Sequence, residues 1–214
     1  MDDKSALIMV THNNFNTLIK AITSIYLYTN HDIYDLYIID NNSHDKTKNL
    51  DTYGLTNTKV IRSDENLYWA GGINLGLDYI KDKNYEYIFF LNDNIEVYDN
   101  WLEKHTDVLK TNEKIGAVGP LNSSIRDWQC YNRVRKDFKL ENTLPRIDNL
   151  LDIDIINDKI HSISPSFVHI KGMLAFFCVA FRHEVIHKVG KLDERFIMGG
   201  DDDAYCRELE KKGY

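Results

Sequence analysis

The stretch at residues 87–94 (Y-I-F-F-L-N-D-N) constrains the fold more than any other part of the chain. Its apolar run predicts a strand that is buried on both faces, as in a parallel sheet covered by helices. The run ends at Asn92, Asp93 and Asn94, and ligands bind at this carboxyl edge in open α/β sheets. Such oxygen-bearing side chains suit a hard divalent cation that holds a diphosphate. The alternative is a simple polar turn, because Asn and Asp are common in turns.

Apolar runs and helical periodicities alternate along residues 1–120. The apolar runs predict strands at 6–11, 35–40, 59–62, 87–91 and 115–119. Helical spacing predicts helices at 15–28, 73–80 and 101–109, with a short capped helix that reaches residue 50. Residues 65–72 are predicted as a loop. The alternation indicates βαβ units, so the predicted fold class is α/β, with a mostly parallel, Rossmann-like sheet flanked by helices.

The second half of the chain is less regular. Residues 122–160 show no helix or strand period, which predicts an irregular excursion that helps to form the site. Beyond it, residues 167–182 contain strand-like runs, and helices are predicted at 183–189 and 204–212. We expect one domain over residues 1–214, with a nucleotide-binding half at 1–120 and a smaller irregular or antiparallel half at 121–214. The last predicted helix ends almost at Tyr214, so we expect the natural protein to continue beyond it.

The composition excludes several classes of protein. Hydrophobic residues make up 43% of the chain, enough for a sizeable core, and the net charge of −7 argues against nucleic-acid binding. The 3 cysteines include no CxxC pair and fit reduced, mostly buried thiols in a reducing compartment. The sequence shows no signal-peptide pattern and no apolar run of membrane-spanning length. We therefore expect a cytoplasmic protein, with peripheral association at the inner face of a membrane left open.

Polar residues also end the first and second predicted strands. Asp40 ends the second strand, where a carboxylate can accept hydrogen bonds from the base or ribose of a nucleotide. Thr11, His12 and Asn13 end the first strand at the same edge and are placed to line a base pocket. The alternatives are a helix or turn cap at Asp40 and an ordinary turn at residues 11–13.

Residues 66–76 (N-L-Y-W-A-G-G-I-N-L-G) place paired glycines before a predicted helix. Gly71 and Gly72 would let a ligand approach the backbone closely, and a helix N-terminus attracts negative charge. The segment matches neither the GxGxxG pattern nor a P-loop with its lysine. Alone, it is a weak indication of a phosphate site.

Asp201, Asp202 and Asp203 form an acidic run at the start of the last predicted helix. Adjacent carboxylates repel one another, which raises the pKa of at least one of them and suits a general base. An acidic first turn is also favoured by the helix dipole alone. Both explanations can apply, because the cap and the base can be different members of the run.

Residues 183–187 (H-E-V-I-H) formally match the pattern of zinc proteases, in which two histidines one turn apart bind a metal. The predicted helix is short and is closed by Gly190, and so short a pattern arises readily by chance. We favour an amphipathic surface helix with Val185, Ile186 and Val189 directed inward.

Taken together, these segments resemble family 2 glycosyltransferases of the GT-A fold, near the rhamnosyltransferase-like members. The resemblance covers almost the whole chain, with motifs in order at 10–13 (V-T-H-N), 38–43 (I-I-D-N-N-S), 66–76, 91–94 (L-N-D-N), 172–184, 192–196 (L-D-E-R-F) and 200–214. Two departures stand out. Asn94 replaces the family's last metal-binding Asp, and Asp201 replaces the Glu of the last motif, whose second Asp falls on Ala204.

The resemblance implies roles for particular residues. Asp202 would be the catalytic base, with Asp201 next, and a shift of one residue in register would give the role to Asp203. Asp93 and Asn94 would bind Mg²⁺ or Mn²⁺, weakly or only when the donor is bound. The donor-binding residues would be Thr11, Asn13, Asp40, Asn66, Gly71, Gly72, Asn74 and Asn92. The half at 121–214 would be the acceptor side, which the excursion at 122–160 would help to form.

The implied reaction transfers a sugar, with inversion, from a nucleotide-diphosphate donor to a hydroxyl of a glycan or glycolipid, as in the synthesis of cell-wall or surface polysaccharide. Its transition state is oxocarbenium-like, a carboxylate takes the acceptor proton, and a metal stabilises the departing diphosphate. One alternative is a non-catalytic relative that binds sugar nucleotides, which Asn94 suggests. The other is a zinc hydrolase, which the H-E-V-I-H pattern suggests.

Overall fold

The computed structural model describes residues 4–122, 129–137, 139, 170 and 172–214. Within them, five strands form one sheet in the order β3-β2-β1-β4-β5. The strands are β1 (Ser5–Thr11), β2 (Tyr34–Asp40), β3 (Thr58–Arg62), β4 (Tyr87–Asn92) and β5 (Cys178–Arg182). The first four run parallel, and β5 pairs antiparallel with β4.

Helices cover both faces of this sheet. They are α1 (Phe15–Tyr28), α2 (Tyr68–Ile80), α3 (Trp101–Thr111), α4 (Tyr131–Asp137), α5 (His183–Val189) and α6 (Asp201–Lys211). Short 3-10 helices span His31–Ile33 and Lys46–Tyr53, and the side chain of Asp45 caps the second by accepting from the Thr47 N–H. The predicted α/β fold class, a mostly parallel sheet flanked by helices, is confirmed.

Two apolar clusters fill the space between sheet and helices. Side chains alternate between the faces of a strand, so Ile8 and Val10 of β1 pack with α2, α5 and α6, whereas Leu7 and Met9 pack with α1 and α3. Burial on both faces explains why the central strands are continuous apolar runs. Cys130, Cys178 and Cys206 are buried and unpaired in disulfides, as expected.

Helix α2 begins at Tyr68, so the predicted loop at residues 65–72 is wrong in its second half. Two glycines of α2, Gly72 and Gly76, allow this helix to pack closely against the sheet. A Cβ atom on Gly72 would lie 2.7 Å from Val10 Cγ1, and one on Gly76 would lie 2.5 Å from Ile8 Cγ2. Real side chains do not pack this closely, so glycine is what allows α2 to lie against β1.

Residues 115–119 do not form the predicted strand. They make a single bridge to the sheet, where Val118 exchanges both backbone hydrogen bonds with β5. The neighbouring carbonyl oxygens of Leu109 and Ile115 accept hydrogen bonds from Arg182 at 2.7 and 2.8 Å. Arg182 therefore joins β5 to the end of α3, whose last carbonyls lack helical partners.

The last helix starts three residues earlier than predicted, at Asp201 instead of residue 204, so the acidic run forms its first turn. Most of the predicted excursion at 122–160, and part of the strand-like runs at 167–182, lie outside the described residues, so the division into halves at 120 stays a prediction. Among the helices described, none is both long and apolar enough to cross a membrane.

Candidate functional site

An open cleft of about 350 Å³ lies at the carboxyl edge of the sheet, where β1 and β4 end. From β1 the strand order runs outward in both directions, towards β2 and β3 on one side and towards β4 on the other. Such a topological switch point is where open α/β sheets bind ligands. The ends of β1 and β4, the turn after β2 and the first residues of α2 contribute the lining.

Asp93 is the one carboxylate on the cleft lining within the described part of the chain. It accepts hydrogen bonds from the Thr11 hydroxyl at 2.7 Å and from Asn14 Nδ2 at 3.0 Å. Burial raises the pKa of Asp93, and these two hydrogen bonds oppose that rise. The ends of β1 and β4 thus hold the carboxylate in place before a ligand arrives.

The ligand set around Asp93 fits a hard divalent cation. Asn92 and Asn94 also line the cleft, and their amide oxygens are ligand types that Mg²⁺ and Mn²⁺ accept. The set carries only the charge of Asp93. Over the described ranges, no three His, Cys, Asp or Glu side chains come together as a metal site. A cation held here would therefore take further ligands from outside the chain, such as diphosphate oxygens.

Asp40 ends β2 but does not line the cleft. Its side chain is only 1% exposed, one carboxylate oxygen accepts from the Ser43 N–H at 2.8 Å, and the other pairs with Arg62. Arg62, the last residue of β3, also donates to Ser43 O at 2.8 Å and to Asn42 Oδ1 at 3.1 Å. A nucleotide base that binds Asp40 must therefore share the carboxylate with Arg62 or displace it.

Of the two predicted donor residues Asn13 and Asn66, only Asn66 lines the cleft. Asn13 joins the ends of β1 and β2, because its N–H donates to Ser43 Oγ at 2.9 Å and its Oδ1 accepts from the His44 N–H at 2.6 Å. Asn66 lines the cleft and accepts from the Tyr68 N–H at 2.9 Å. Asn13 and Tyr68 have φ angles of 53° and 56°, a backbone strain that clusters at functional sites.

The structure does not bring Gly71, Gly72 or Asn74 to the cleft. All three are buried within α2, and Gly72 faces Val10 of β1. Their predicted contact with the donor therefore finds no support in the geometry. Their observed contacts are with other parts of the protein.

The acidic run lies beyond the cleft lining, which reaches Ile197 on this side. Asp201 is 9% exposed, and burial raises its pKa, with a smaller contribution from the charge of Asp202. Asp203 pairs with Arg207 at 2.8 Å, and its N–H donates to Asp202 Oδ1 at 2.8 Å. The three carboxylates thus occupy different environments, and Asp203 is the one of the three that pairs with a cation.

The H-E-V-I-H segment packs as a short surface helix. His183 Nδ1 lies 3.0 Å from Tyr85 O, and Glu184 pairs with Arg182 at 3.0 Å. Val185 and Ile186 are buried, as the amphipathic interpretation predicts. These contacts do not assemble a zinc site.

Sequence reasoning missed several cleft residues and one partner of a candidate residue. Asn14 and Arg62 could have been found from the sequence. Asn14 follows β1, the neighbour of β4 and its Asp93, and Arg62 ends β3, the neighbour of β2 and its Asp40. Asn41 directly follows Asp40. Tyr68 and Trp69 lie inside the 66–76 segment, although the motif points to its glycines and asparagines instead. Ile197, in contrast, lines the cleft without any local pattern that distinguishes it from a core or surface residue.

Comparisons with known proteins agree with this geometry. The family model for glycosyl transferase family 2 matches residues 6–186. No curated protein matches the chain in sequence. The solved structure of the mannosyltransferase PcManGT from Pyrobaculum calidifontis, in complex with GDP-Man and Mn²⁺, has a TM-score of 0.69 at 15% identity, over 99% of this chain and 53% of that one.

Two further solved structures are similar. S. aureus TarS has a TM-score of 0.63 at 13% identity, over 96% of this chain and 55% of that one. GalNAc-T7 with UDP, GalNAc and Mn²⁺ has a TM-score of 0.66 at 17% identity, over 96% of this chain and 40% of that one. At these identities the likeness shows the fold, and the chain spans only about half of each of these proteins or less.

Proposed function

Because the chain belongs to glycosyl transferase family 2 and has the GT-A fold, we propose that it transfers a sugar, with inversion, from a nucleotide-diphosphate donor to an acceptor hydroxyl. The observation that supports this most directly is Asp93, a carboxylate fixed by Thr11 and Asn14 at the switch point of the sheet. The ligands named for two similar structures, GDP-Man and UDP with GalNAc, support a sugar-nucleotide donor. A glycan or glycolipid acceptor, a role in surface polysaccharide synthesis, a cytoplasmic location and the rhamnosyltransferase-like subtype stay predictions.

The charge balance of the cleft supports a donor that binds together with a cation. A diphosphate is anionic, yet the described lining includes no lysine or arginine. Helix α2 starts in the cleft at Tyr68 and Trp69, and the positive end of its dipole favours a phosphate there. Asp93 would repel the diphosphate if nothing lay between them. A divalent cation on Asp93 and Asn94 would remove this repulsion and neutralise the leaving group.

The acidic run would supply the general base. As the acceptor hydroxyl attacks the anomeric carbon from the face opposite the diphosphate, a carboxylate takes the hydroxyl proton and the diphosphate leaves with the bonding electron pair. The register of the motif at 200–214 favours Asp202 as the base, and Asp201 is the second candidate. Burial of Asp201 raises its pKa towards the working pH, which makes it a stronger base. Asp203 is the weakest candidate because it already pairs with Arg207.

A thermal-shift series tests the proposal, because a ligand that binds the native state raises the Tm by mass action. The protein is heated with UDP, GDP, dTDP or ADP, each with Mg²⁺, Mn²⁺ or excess chelator. We expect at least one nucleoside diphosphate to raise the Tm in a cation-dependent way, and Asp93→Asn to abolish that rise. Asp78→Asn, an exposed carboxylate on α2 outside the cleft, should keep it. A flat response to every nucleotide with both cations would reject the proposal.

A non-catalytic binder of sugar nucleotides is the second candidate. Asn94, and the position of the acidic run beyond the cleft lining, favour it. Both candidates predict the same thermal shifts, so turnover must separate them. Release of nucleoside diphosphate from the matching sugar nucleotide, measured over a panel of saccharide acceptors with Asp202→Asn as the background, would establish the enzyme.

A further inference from the structure

One buried amide joins helix α2 to the segment that leads to the acidic run. Asn74 is 3% exposed, and its Nδ2 donates to Leu192 O at 2.9 Å and to Glu194 Oε1 at 2.7 Å. Its Oδ1 accepts from the Leu192 N–H at 3.0 Å. Both amide protons are used, and the two backbone partners fix which way the amide points. Asn74 therefore binds a backbone N–H, a backbone carbonyl and a carboxylate at once.

The two elements that Asn74 joins both contribute residues to the cleft lining. Helix α2 contributes Tyr68 and Trp69 from its first turn. The other segment runs from Leu192 through Ile197, which also lines the cleft, to Asp201 at the start of α6. The acidic run is therefore supported from two directions along the chain, by the core packing of Tyr205, Cys206 and Leu209 in α6 and by the anchored start of this segment at Leu192.

Apart from the bond between Asn74 and Glu194, the hydrogen bonds described between Leu192 and α6 are local: the Phe196 N–H donates to Asp193 O at 3.2 Å, and Arg195 pairs with Asp193 at 2.5 Å. Phe196, Ile197 and Met198 are 36%, 53% and 93% exposed. Gly199 and Gly200 follow with φ angles of 99° and 91°, and glycine is the residue that adopts such angles without strain. The path of this loop therefore depends on how firmly its first residues are anchored.

A second link between the same elements is much weaker. Lys191 pairs with Asp78 of α2 at 2.7 Å, but both side chains are about half exposed. Exposed pairs of this kind contribute little, because water and salt screen them. The buried amide of Asn74 is thus the stronger of the two connections.

We propose that Asn74 is a positioning residue, which sets where the general base stands relative to the donor without touching the nucleotide. The inference rests on the proposed function. It also replaces the donor-binding role that the sequence motif suggests for Asn74, because both amide protons are already donated within the protein and the side chain is buried away from the cleft lining. Three experiments test it, and one of them does not depend on activity.

The first experiment is hydrogen exchange of residues 192–204 in wild type, Asn74→Ala and Leu77→Ala. Leu77 is a buried residue of the same helix, α2, and belongs to the apolar cluster that also contains Leu192. Its variant therefore controls for general destabilisation. Rates are compared at temperatures equally far below each variant's Tm. We expect exchange at 192–204 to rise by at least about tenfold in Asn74→Ala, because the variant removes three hydrogen bonds and the loss of one alone gives roughly that change, and to rise less in Leu77→Ala. Equal increases in the two variants would overturn the proposal.

The second experiment separates binding from turnover. Asn74→Asp keeps the size of the side chain but removes both donated hydrogen bonds, and Asp78→Asn breaks only the exposed link. With UDP, GDP or dTDP, whichever stabilises the wild type most, we expect an unchanged Kd in both variants. We expect kcat for transfer to fall by about 10²-fold in Asn74→Asp alone, as for a misplaced catalytic group. If Kd instead rises by as large a factor as kcat falls, Asn74 would belong to the donor site after all.

A double variant distinguishes misplacement from a folding defect. Glu194→Gln in the Asn74→Asp background exchanges the amide and the carboxylate, which restores one hydrogen bond between them. Partial recovery of kcat is expected, and no recovery would count against the proposal. If the wild type binds none of the nucleotides, the proposed function fails, and the exchange experiment alone then decides whether Asn74 holds the loop.

Discussion

The strand ends proposed to bind the donor and the acidic run proposed to supply the base are held by different kinds of contact, and we call these two regions the donor side and the acid side. On the donor side, side chains at strand ends bind one another directly, as Thr11 and Asn14 bind Asp93. On the acid side, the buried amide of Asn74 anchors Leu192, and the loop beyond it is exposed. The donor side is therefore organised in advance, whereas the acid side is placed from a distance. The contrast implies that donor affinity and turnover can be changed separately.

The largest expected effect is on turnover, from the acid side. Asp202→Asn should leave nucleotide affinity nearly intact and lower transfer by roughly 10²–10⁴-fold, the usual contribution of acid–base catalysis. Steady-state release of nucleoside diphosphate, with calorimetry of nucleotide binding, measures both quantities. Asp201→Asn and Asp203→Asn are the matched controls. Near-normal transfer by Asp202→Asn, with transfer lost in either control, would move the base to that residue.

The next largest effect should be on affinity, from the donor side. Asp40→Asn keeps the shape of the side chain but removes its charge, and should weaken nucleoside diphosphate binding by about 1–3 kcal/mol if a buried donor is left unpaired. Arg62→Met frees the same carboxylate from its partner, so it should not weaken binding if Asp40 binds the nucleotide itself. Calorimetry of both variants decides this. An unchanged affinity in Asp40→Asn would remove Asp40 from the donor site.

A third prediction concerns the free energy of unfolding, which should decrease at low pH because of His105. His105 of α3 is buried against Phe89 of β4, and burial lowers its pKa. The unfolded chain binds this proton at its ordinary pKa of about 6.5, whereas the folded chain resists it. Stability should therefore be unaffected above that pH and fall as the pH drops below it, by up to about 1.4 kcal/mol per pH unit.

Urea unfolding at a series of pH values measures this effect. His105→Leu should flatten the dependence between pH 7 and about 5.5, a range that lies around the ordinary histidine pKa. His187→Gln, at an exposed position of α5, should preserve it. A wild type and a His105→Leu variant that lose stability in parallel would show that His105 is not the group responsible.

The smallest expected effect concerns Asn94. It is exposed, so the extra charge of Asn94→Asp is partly screened by water and salt. The variant should still bind the cation more tightly and need less of it for half-maximal transfer. Titration of Mg²⁺ and Mn²⁺ against both proteins measures the shift. Full wild-type transfer in excess chelator, with no gain in the variant, would remove the metal from the mechanism.

Much of the donor side was predictable because it depends on strands. The central strands are buried on both faces, so their apolar runs are continuous, and parallel strands bring their carboxyl ends to one edge. The joint position of Thr11 and Asp93 at that edge follows from this alone. Their hydrogen bond does not, because it spans 82 positions and depends on which strand lies beside β1.

The acid side was predicted less well because its contacts are non-local. The motif around Asn74 suggested a donor contact, but its partners are Leu192 and Glu194, 118 and 120 positions away. The paired glycines of α2 suggested a loop, yet Gly72, like Gly76 one turn later, allows close packing on β1. Residues 115–119 have the composition of a strand but make only one bridge to β5, and the Ile115 carbonyl accepts a hydrogen bond from the Arg182 side chain. A local pattern cannot reveal a partner that distant parts of the chain provide.

The antiparallel pairing of β4 with β5 also has a consequence for synthesis of the chain. Strand β4 ends at Asn92, but its second partner begins only at Cys178. During translation, the edge of this aromatic and aliphatic strand therefore has no β5 to pair with until the intervening residues have been made. Unpaired strand edges invite association between nascent chains. The stage of biosynthesis most exposed to aggregation should thus lie between completion of β4 and emergence of β5 from the ribosome.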